Sequence, residues 1–169
     1  MGSRVRNRAA RRLRWVLALD PGTHMGWALF HEGKLVASGH CKRQALQKGA
    51  LTPQAQRAGH TLPPEVLEPD CSIIGELPTY RGKGSGDNRG TPNDLIWLGV
   101  LLGQATGLYM RKVEVVDFVT PNEWKGSVSK EISHRRIEKL LEPDEQMPEN
   151  PNARDAVGVG LWYVGRYKR

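Results

Sequence analysis

The stretch Val16-Leu17-Ala18-Leu19-Asp20-Pro21-Gly22-Thr23, followed at once by Gly26-Trp27-Ala28-Leu29-Phe30, decides the fold. An apolar run of strand length ends on a carboxylate, Pro-Gly reverses the chain, and a second apolar run returns beside the first. Asp20 is thereby set at a strand's end. A backbone with few alternative conformations can present it there to a hard cation, and the glycines let a bulky anion approach the turn. An ordinary hairpin with a polar turn residue has the same local pattern, so the decision rests on what else in the chain converges on Asp20.

Downstream, Glu32-Gly33 reads as a tight turn and Lys34 to His40 as a third antiparallel strand, completing a meander. Cys41 to Asp70 is polar, with short helices expected at Gln44 to Lys48 and Pro53 to Ala58 and breakers at Pro63-Pro64 and Pro69. Cys71 to Glu76 then repeats the opening pattern, a short apolar run closing on a carboxylate. Arg81 to Gly90 is a glycine-rich basic loop expected to be mobile. Thr91 and Pro92 open a helix expected to reach Met110, and Gly99, Gly103 and Gly107 recur every four residues along it. Such a stripe fits close backbone packing against a sheet or another helix.

Lys112 to Val119 alternates like a strand, and Thr120-Pro121 begins a helical turn carrying Trp124 and Lys125. Ser129 to Leu141 has the pattern of an amphipathic helix. Ile132, Ile137, Leu140 and Leu141 are expected inside, with His134, Arg135, Arg136 and Lys139 mostly outside, so His134 reads as a surface residue and not as part of a site. After a loop rich in Pro and acids, a last helix is expected from Asn152 to about Tyr167, with Ala156, Val159, Gly160 and Tyr163 among its inner positions. The order of elements predicts an α/β fold, a mixed β-sheet flanked by α-helices.

The 169 residues, 38% hydrophobic, suit one domain with a real core. A formal net charge of +7 points to an acidic partner such as nucleic acid, but six arginines lie before Trp15, which leaves 19 basic against 18 acidic residues in the rest of the chain. Residues 1–14 are therefore expected to be a basic flexible arm that attracts phosphates irrespective of sequence, or else a solvated tail, and residues 15–169 a single domain. The apolar run from Trp15 to Leu19 is too short for a secretory signal, and no run approaches the roughly 20 residues that cross a membrane. The expectation is a soluble, intracellular, cytoplasmic protein. Cys41 and Cys71 lack zinc-like spacing and are expected as buried thiols.

Asp20 and Glu76 each end an apolar strand, and if those strands are neighbours their carboxylates share one sheet edge. Asp155 is expected in the first turn of the last helix, with Asn152 one turn before it on the same face. Acids gathered in this way repel one another unless cations hold them. Two-metal phosphodiester hydrolysis needs such a group, with two ions about 3.5 to 4 Å apart, one activating water and the other stabilising the leaving oxygen. Oxygen ligands favour Mg²⁺ or Mn²⁺ over zinc.

Four of these stretches together resemble the RuvC-type Holliday junction resolvases. Ala18-Leu19-Asp20-Pro21-Gly22-Thr23 to Gly26-Trp27-Ala28 resembles their opening motif and Ile74-Gly75-Glu76 their second catalytic strand. Gly103-Gln104-Ala105-Thr106-Gly107 is similar to their Gly-Gln-Ala-x-Gly helix, and Asn152-Ala153-Arg154-Asp155-Ala156 to their C-terminal acidic helix start. The resemblance runs from about Trp15 to the C-terminus. It implies a ribonuclease-H-like fold, a homodimer and a magnesium-dependent endonuclease that nicks four-way junction DNA symmetrically, in the service of DNA recombination and repair. By the same resemblance Asp20, Glu76 and Asp155 are metal ligands and catalytic acids, and Asn152 stands where the family has Asp or His. An amide can coordinate but carries no charge, so Asn152→Asp is expected to raise metal-dependent cleavage. Lys125 and Lys130 fall where the family places basic residues near the scissile phosphate, and Tyr80, Arg81 and Lys83 where it inserts an aromatic at the junction centre. A junction-binding protein without cleavage, and another ribonuclease-H-like nuclease, are the alternatives. The short length and the arginine-rich arm would suit a phage-encoded enzyme.

Overall fold

The computed structural model describes residues 15–21, 24–42, 71–77 and 113–168, together with positions 96, 99, 102 and 103. Among the described residues five strands form one sheet: β1 (Trp15–Asp20), β2 (His24–His31), β3 (Lys34–Lys42), β4 (Cys71–Glu76) and β5 (Val113–Val119). Their spatial order is β3-β2-β1-β4-β5, antiparallel on the β3 side of β1 and parallel from β1 through β4 to β5. Three helices follow, α1 (Pro121–Trp124), α2 (Lys130–Leu140) and α3 (Pro151–Tyr163). The expected mixed sheet flanked by helices is what the chain forms.

The meander closes as its sequence demands. Glu32 and Gly33 both take positive φ, 49° and 85°, the turn whose twist matches a two-residue hairpin. β1 is buried along its whole middle because both faces of the sheet are covered, which explains its continuous apolar run. Val16 and Ala18 point to the α3 face, with Ala28, Phe30, Ile74 and Val119. Leu17 and Leu19 point to the other face, with Leu29, Cys71, Ile73 and Leu102. The period of two carries this alternation to the strand ends, so Asp20 and Glu76 come out on the α3 face.

α3 lies against β2 and β1 at very close range. A Cβ on Gly26 would stand 2.1 Å from the Asn152 backbone oxygen, and one on Gly160 2.0 Å from Phe30, so only glycine permits the approach at these two points. The helix is capped by Asn150, whose Oδ1 accepts from the Asn152 and Ala153 amides at 2.9 and 3.3 Å. It ends four residues earlier than its sequence pattern predicts. Val164 closes it, Gly165 turns left-handed at φ 82°, and the Arg166 amide returns to the Leu161 carbonyl at 2.8 Å.

Other expectations are corrected. Ile132 is 45% exposed and lies outside, whereas Ser133 and Ile137 are fully buried and His134 turns inward. The inner face of α2 meets a polar group on α3, so an imidazole suits it better than an isoleucine. Of the glycine stripe, Gly99 and Gly103 lie exposed, with no described residue within 4 Å of an added Cβ, while Leu102 packs on the sheet within the contact shell of Gly75, and Gly107 lies outside the described residues. The expected arm (1–14), the short helices at 44–48 and 53–58, and the basic loop at 81–90 lie outside the described residues, as does most of the helix from 92 to 110.

Candidate active site

Leu19 pairs with Gly75 in the parallel register of β1 and β4, which brings the next residues, Asp20 and Glu76, level at the sheet's edge. Burial, then repulsion from Glu76 and Asp155, holds the Asp20 carboxyl well above the ordinary carboxylate range, and Lys130 and Lys125 only partly offset this. Burial is also the chief cause that raises Glu76, with Asp155 adding to it, against Lys125, the Trp124 hydrogen bond and Lys130. Asp20, Glu76, Asp155, Lys125 and Lys130 thus feel one another's charge across a single site.

Glu76, Lys125, Lys130 and Asp155 each have a defined partner. Trp124 is fully buried, and its indole Nε1 donates to Glu76 Oε2 at 2.5 Å. It is held there by α1, whose Thr120 amide and hydroxyl both donate to Glu123 Oε2, at 2.7 and 2.8 Å. Lys125 Nζ stands 4.7 Å from the centroid of the same indole. Asp155 is five residues into α3 and so opens its second turn rather than sitting in the first. Its Oδ2 pairs with Lys130 Nζ at 2.7 Å and its Oδ1 with His134 Nε2 at 2.9 Å. Asn152 Nδ2 donates to the His24 carbonyl at 2.8 Å. An aspartate at 152 would set an oxygen against that carbonyl.

The structure therefore brings together Asp20, Glu76, Asp155, Lys125 and Lys130, with Asn152 one turn from Asp155, while Tyr80, Arg81 and Lys83 lie outside the described residues. Reading the sequence missed two residues, Trp124 and His134. Nothing in the sequence marks Trp124 as a partner of a residue 48 positions away. His134 did carry a signal, the spacing of four from Lys130 that sets both on one helical face.

The donor set is suited to a hard cation, being all oxygen: three carboxyls and one amide, two of the carboxyls kept hard to ionise by burial and mutual repulsion. Among the described residues no three His, Cys, Asp or Glu side chains are already gathered as a metal cage. Glu76 accepts from Trp124 and Asp155 meets Lys130 and His134, and a carboxylate oxygen so engaged keeps a second lone pair for a cation.

No protein-family model matches the chain, and no curated protein sequence does. Solved structures do. Thermus thermophilus RuvC in complex with a Holliday junction substrate matches with a TM-score of 0.61 at 19% identity, covering 90% of this chain and 95% of that one. A second Thermus thermophilus RuvC structure matches with a TM-score of 0.56 at the same identity and coverage. The fold is RuvC-like and hence ribonuclease-H-like.

Proposed function

We propose that this chain is a metal-dependent, structure-selective endonuclease that resolves four-way DNA junctions by paired symmetric nicks, a crossover junction endodeoxyribonuclease. The observation that carries the reading is the convergence of Asp20, Glu76 and Asp155, beside Lys125 and Lys130, on one face of a RuvC-like fold. The likeness to RuvC solved with its junction supports four-way junction DNA as the substrate class. In this reading Asp20, Glu76, Asn152 and Asp155 hold two Mg²⁺ or Mn²⁺ ions. Bound there, such ions supply the positive charge under which water becomes a nucleophile and the departing oxygen is stabilised.

The chain's own residues do the rest. Lys125 and Lys130 draw the scissile phosphate to the sheet edge, and Tyr80, Arg81 and Lys83 engage the junction centre. Trp124 fixes the Glu76 carboxylate through Oε2 and leaves its other oxygen without that hydrogen bond. Two cuts related by a two-fold axis need a homodimer. The exposed Gly99 and Gly103, with Ile96 65% exposed on the same helical side, supply a surface for close approach. Recombination and repair of DNA in the cytoplasm of a bacterium or of a phage-infected cell is the setting that fits. Among the described residues no helix is long and apolar enough to cross a membrane.

A junction-binding protein that does not cut is the second reading, favoured by the neutral Asn152 and by the full engagement of Asp155 with Lys130 and His134. Cleavage of a labelled four-way junction in Mg²⁺, Mn²⁺ or chelator separates the two. Paired, metal-dependent nicks that fall by at least about 100-fold in Glu76→Gln are the expected result. Asn152→Asp is expected to cut faster in saturating metal, because the added charge is then neutralised. Tight binding without nicks in both this chain and Asn152→Asp would establish the binding module instead.

A further inference from the structure

We infer that His134 is the positioning residue for Asp155, fixing the plane of that carboxylate for the chemistry, while Lys130 supplies only charge. The inference rests on the nuclease reading above and adds to it a residue outside the acidic set and the basic contacts.

The two partners of Asp155 come from successive turns of α2, yet they differ physically. Lys130 reaches Oδ2 with a flexible stem that is 43% exposed, so its ion pair is softened by water and its side chain has several ways to make it. His134 reaches Oδ1 with a side chain only 12% exposed, and the carboxylate it meets is 7% exposed. A planar ring with two side-chain torsions, held in a nearly dry place, fixes the direction of its hydrogen bond. An ionised carboxylate can only accept, so Nε2 is the donor and Oδ1 is held on the ring's line.

The ring is itself located by packing on both sides. Ser129 caps α2 by accepting from the Ile132 amide, which sets the phase of the helix. One turn beyond His134, Ile137 is fully buried against α3, where a Cβ on Gly158 would stand 2.7 Å from its Cδ1. His134 with Asp155 and Ile137 with Gly158 are thus consecutive rungs between the same two helices, each three residues further along both. The apolar rung fixes the spacing that the polar rung uses. Groups that orient a metal-binding carboxylate in this way typically govern affinity or activity by 10- to 100-fold, an order of magnitude that solvated charge pairs do not reach.

The experiment compares the full-length chain with His134→Ala, His134→Gln and Lys130→Ala. Mn²⁺ binding is read from the electron paramagnetic resonance signal of the free ion, junction affinity in chelator, and single-turnover nicking at saturating junction. His134→Ala should weaken Mn²⁺ binding and slow nicking by about tenfold each while junction affinity stays within about twofold. His134→Gln, which keeps an N–H donor, should hold most of both. Free imidazole should restore part of the His134→Ala rate and leave the wild-type rate unchanged, a rescue that a packing defect would not show. Lys130→Ala should instead weaken junction affinity. Wild-type Mn²⁺ binding and nicking in His134→Ala would overturn the inference alone. So would a loss shared by His134→Gln, unmoved by imidazole and matched by lower melting temperatures. A wild-type chain that neither binds Mn²⁺ nor nicks would overturn the nuclease reading, and this inference with it.

Discussion

Asp20 shows at the residue scale what an acidic site costs the protein that carries it. Its carboxyl is raised in the folded state by burial first and by Glu76 and Asp155 next, so the folded chain holds that proton more tightly than the unfolded chain does. The associated stability is therefore full below the unfolded carboxylate range, near about pH 4, and is lost as pH rises through the folded value. At neutral pH, above the unfolded carboxylate range, Asp20 is therefore a destabilising group. Asp20→Asn should raise stability at pH 7 in chelator by about 1 to 2 kcal/mol, a melting shift of a few degrees, with the gain vanishing near pH 3 to 4. The same variant should not nick. Thermal melting at the two pH values checks the first part and junction cleavage the second. Asp20 and Glu76 were legible as a pair in the sequence because each closes an apolar strand. That the pair would be joined by Trp124 was not, because a strand end carries no record of which distant ring will cover it.

Among the elements, the segment between α2 and α3 decides where Asp155 stands, and it is fastened by one buried ion pair. Arg166 donates to both Glu145 oxygens, at 2.6 and 2.7 Å, to the Gly33 carbonyl at 3.1 Å and to the Leu140 carbonyl. Glu145 in turn accepts from the Leu35 and Glu142 amides at 2.6 and 2.7 Å. The Glu145 side chain is 1% exposed, so removing its cation strands a charge in the interior. Arg166→Met should cost roughly 3 kcal/mol by urea unfolding, and adding Glu145→Gln should recover part of it. The sequence signals the strands and α2 through apolar period, and it starts α3 one residue late, at Asn152, because Pro151 reads with the loop before it. It misplaces the end of α3 and the inner face of α2. Gly165 terminates the one, and a polar partner on the neighbouring helix turns the other.

For the whole molecule, six of the seven net positive charges fall in residues 1–14, and residues 15–169 are nearly neutral. The proposed division of labour is that residues 1–14 supply general attraction to DNA and the carboxylate site supplies the chemistry. Deleting residues 1–14 should lower the slope of log affinity against log salt by up to about 5 and weaken four-way junction and plain duplex alike. Fluorescence anisotropy between about 50 and 200 mM salt measures both. A loss confined to the junction would assign the arm a structural role in recognition instead.

The strands, their order along the chain, the turn at Glu32-Gly33 and the three acids are legible in the sequence, because period, turn chemistry and strand-end carboxylates are local properties. Which residues stand around those acids follows from long-range packing. Trp124 on Glu76, His134 and Lys130 on Asp155, and Asn152 on the His24 carbonyl join positions 21 to 128 residues apart. Those pairings are set by how α1, α2 and α3 dock on the sheet, and docking depends on glycine-sized gaps and buried side chains whose partners no local stretch of sequence specifies.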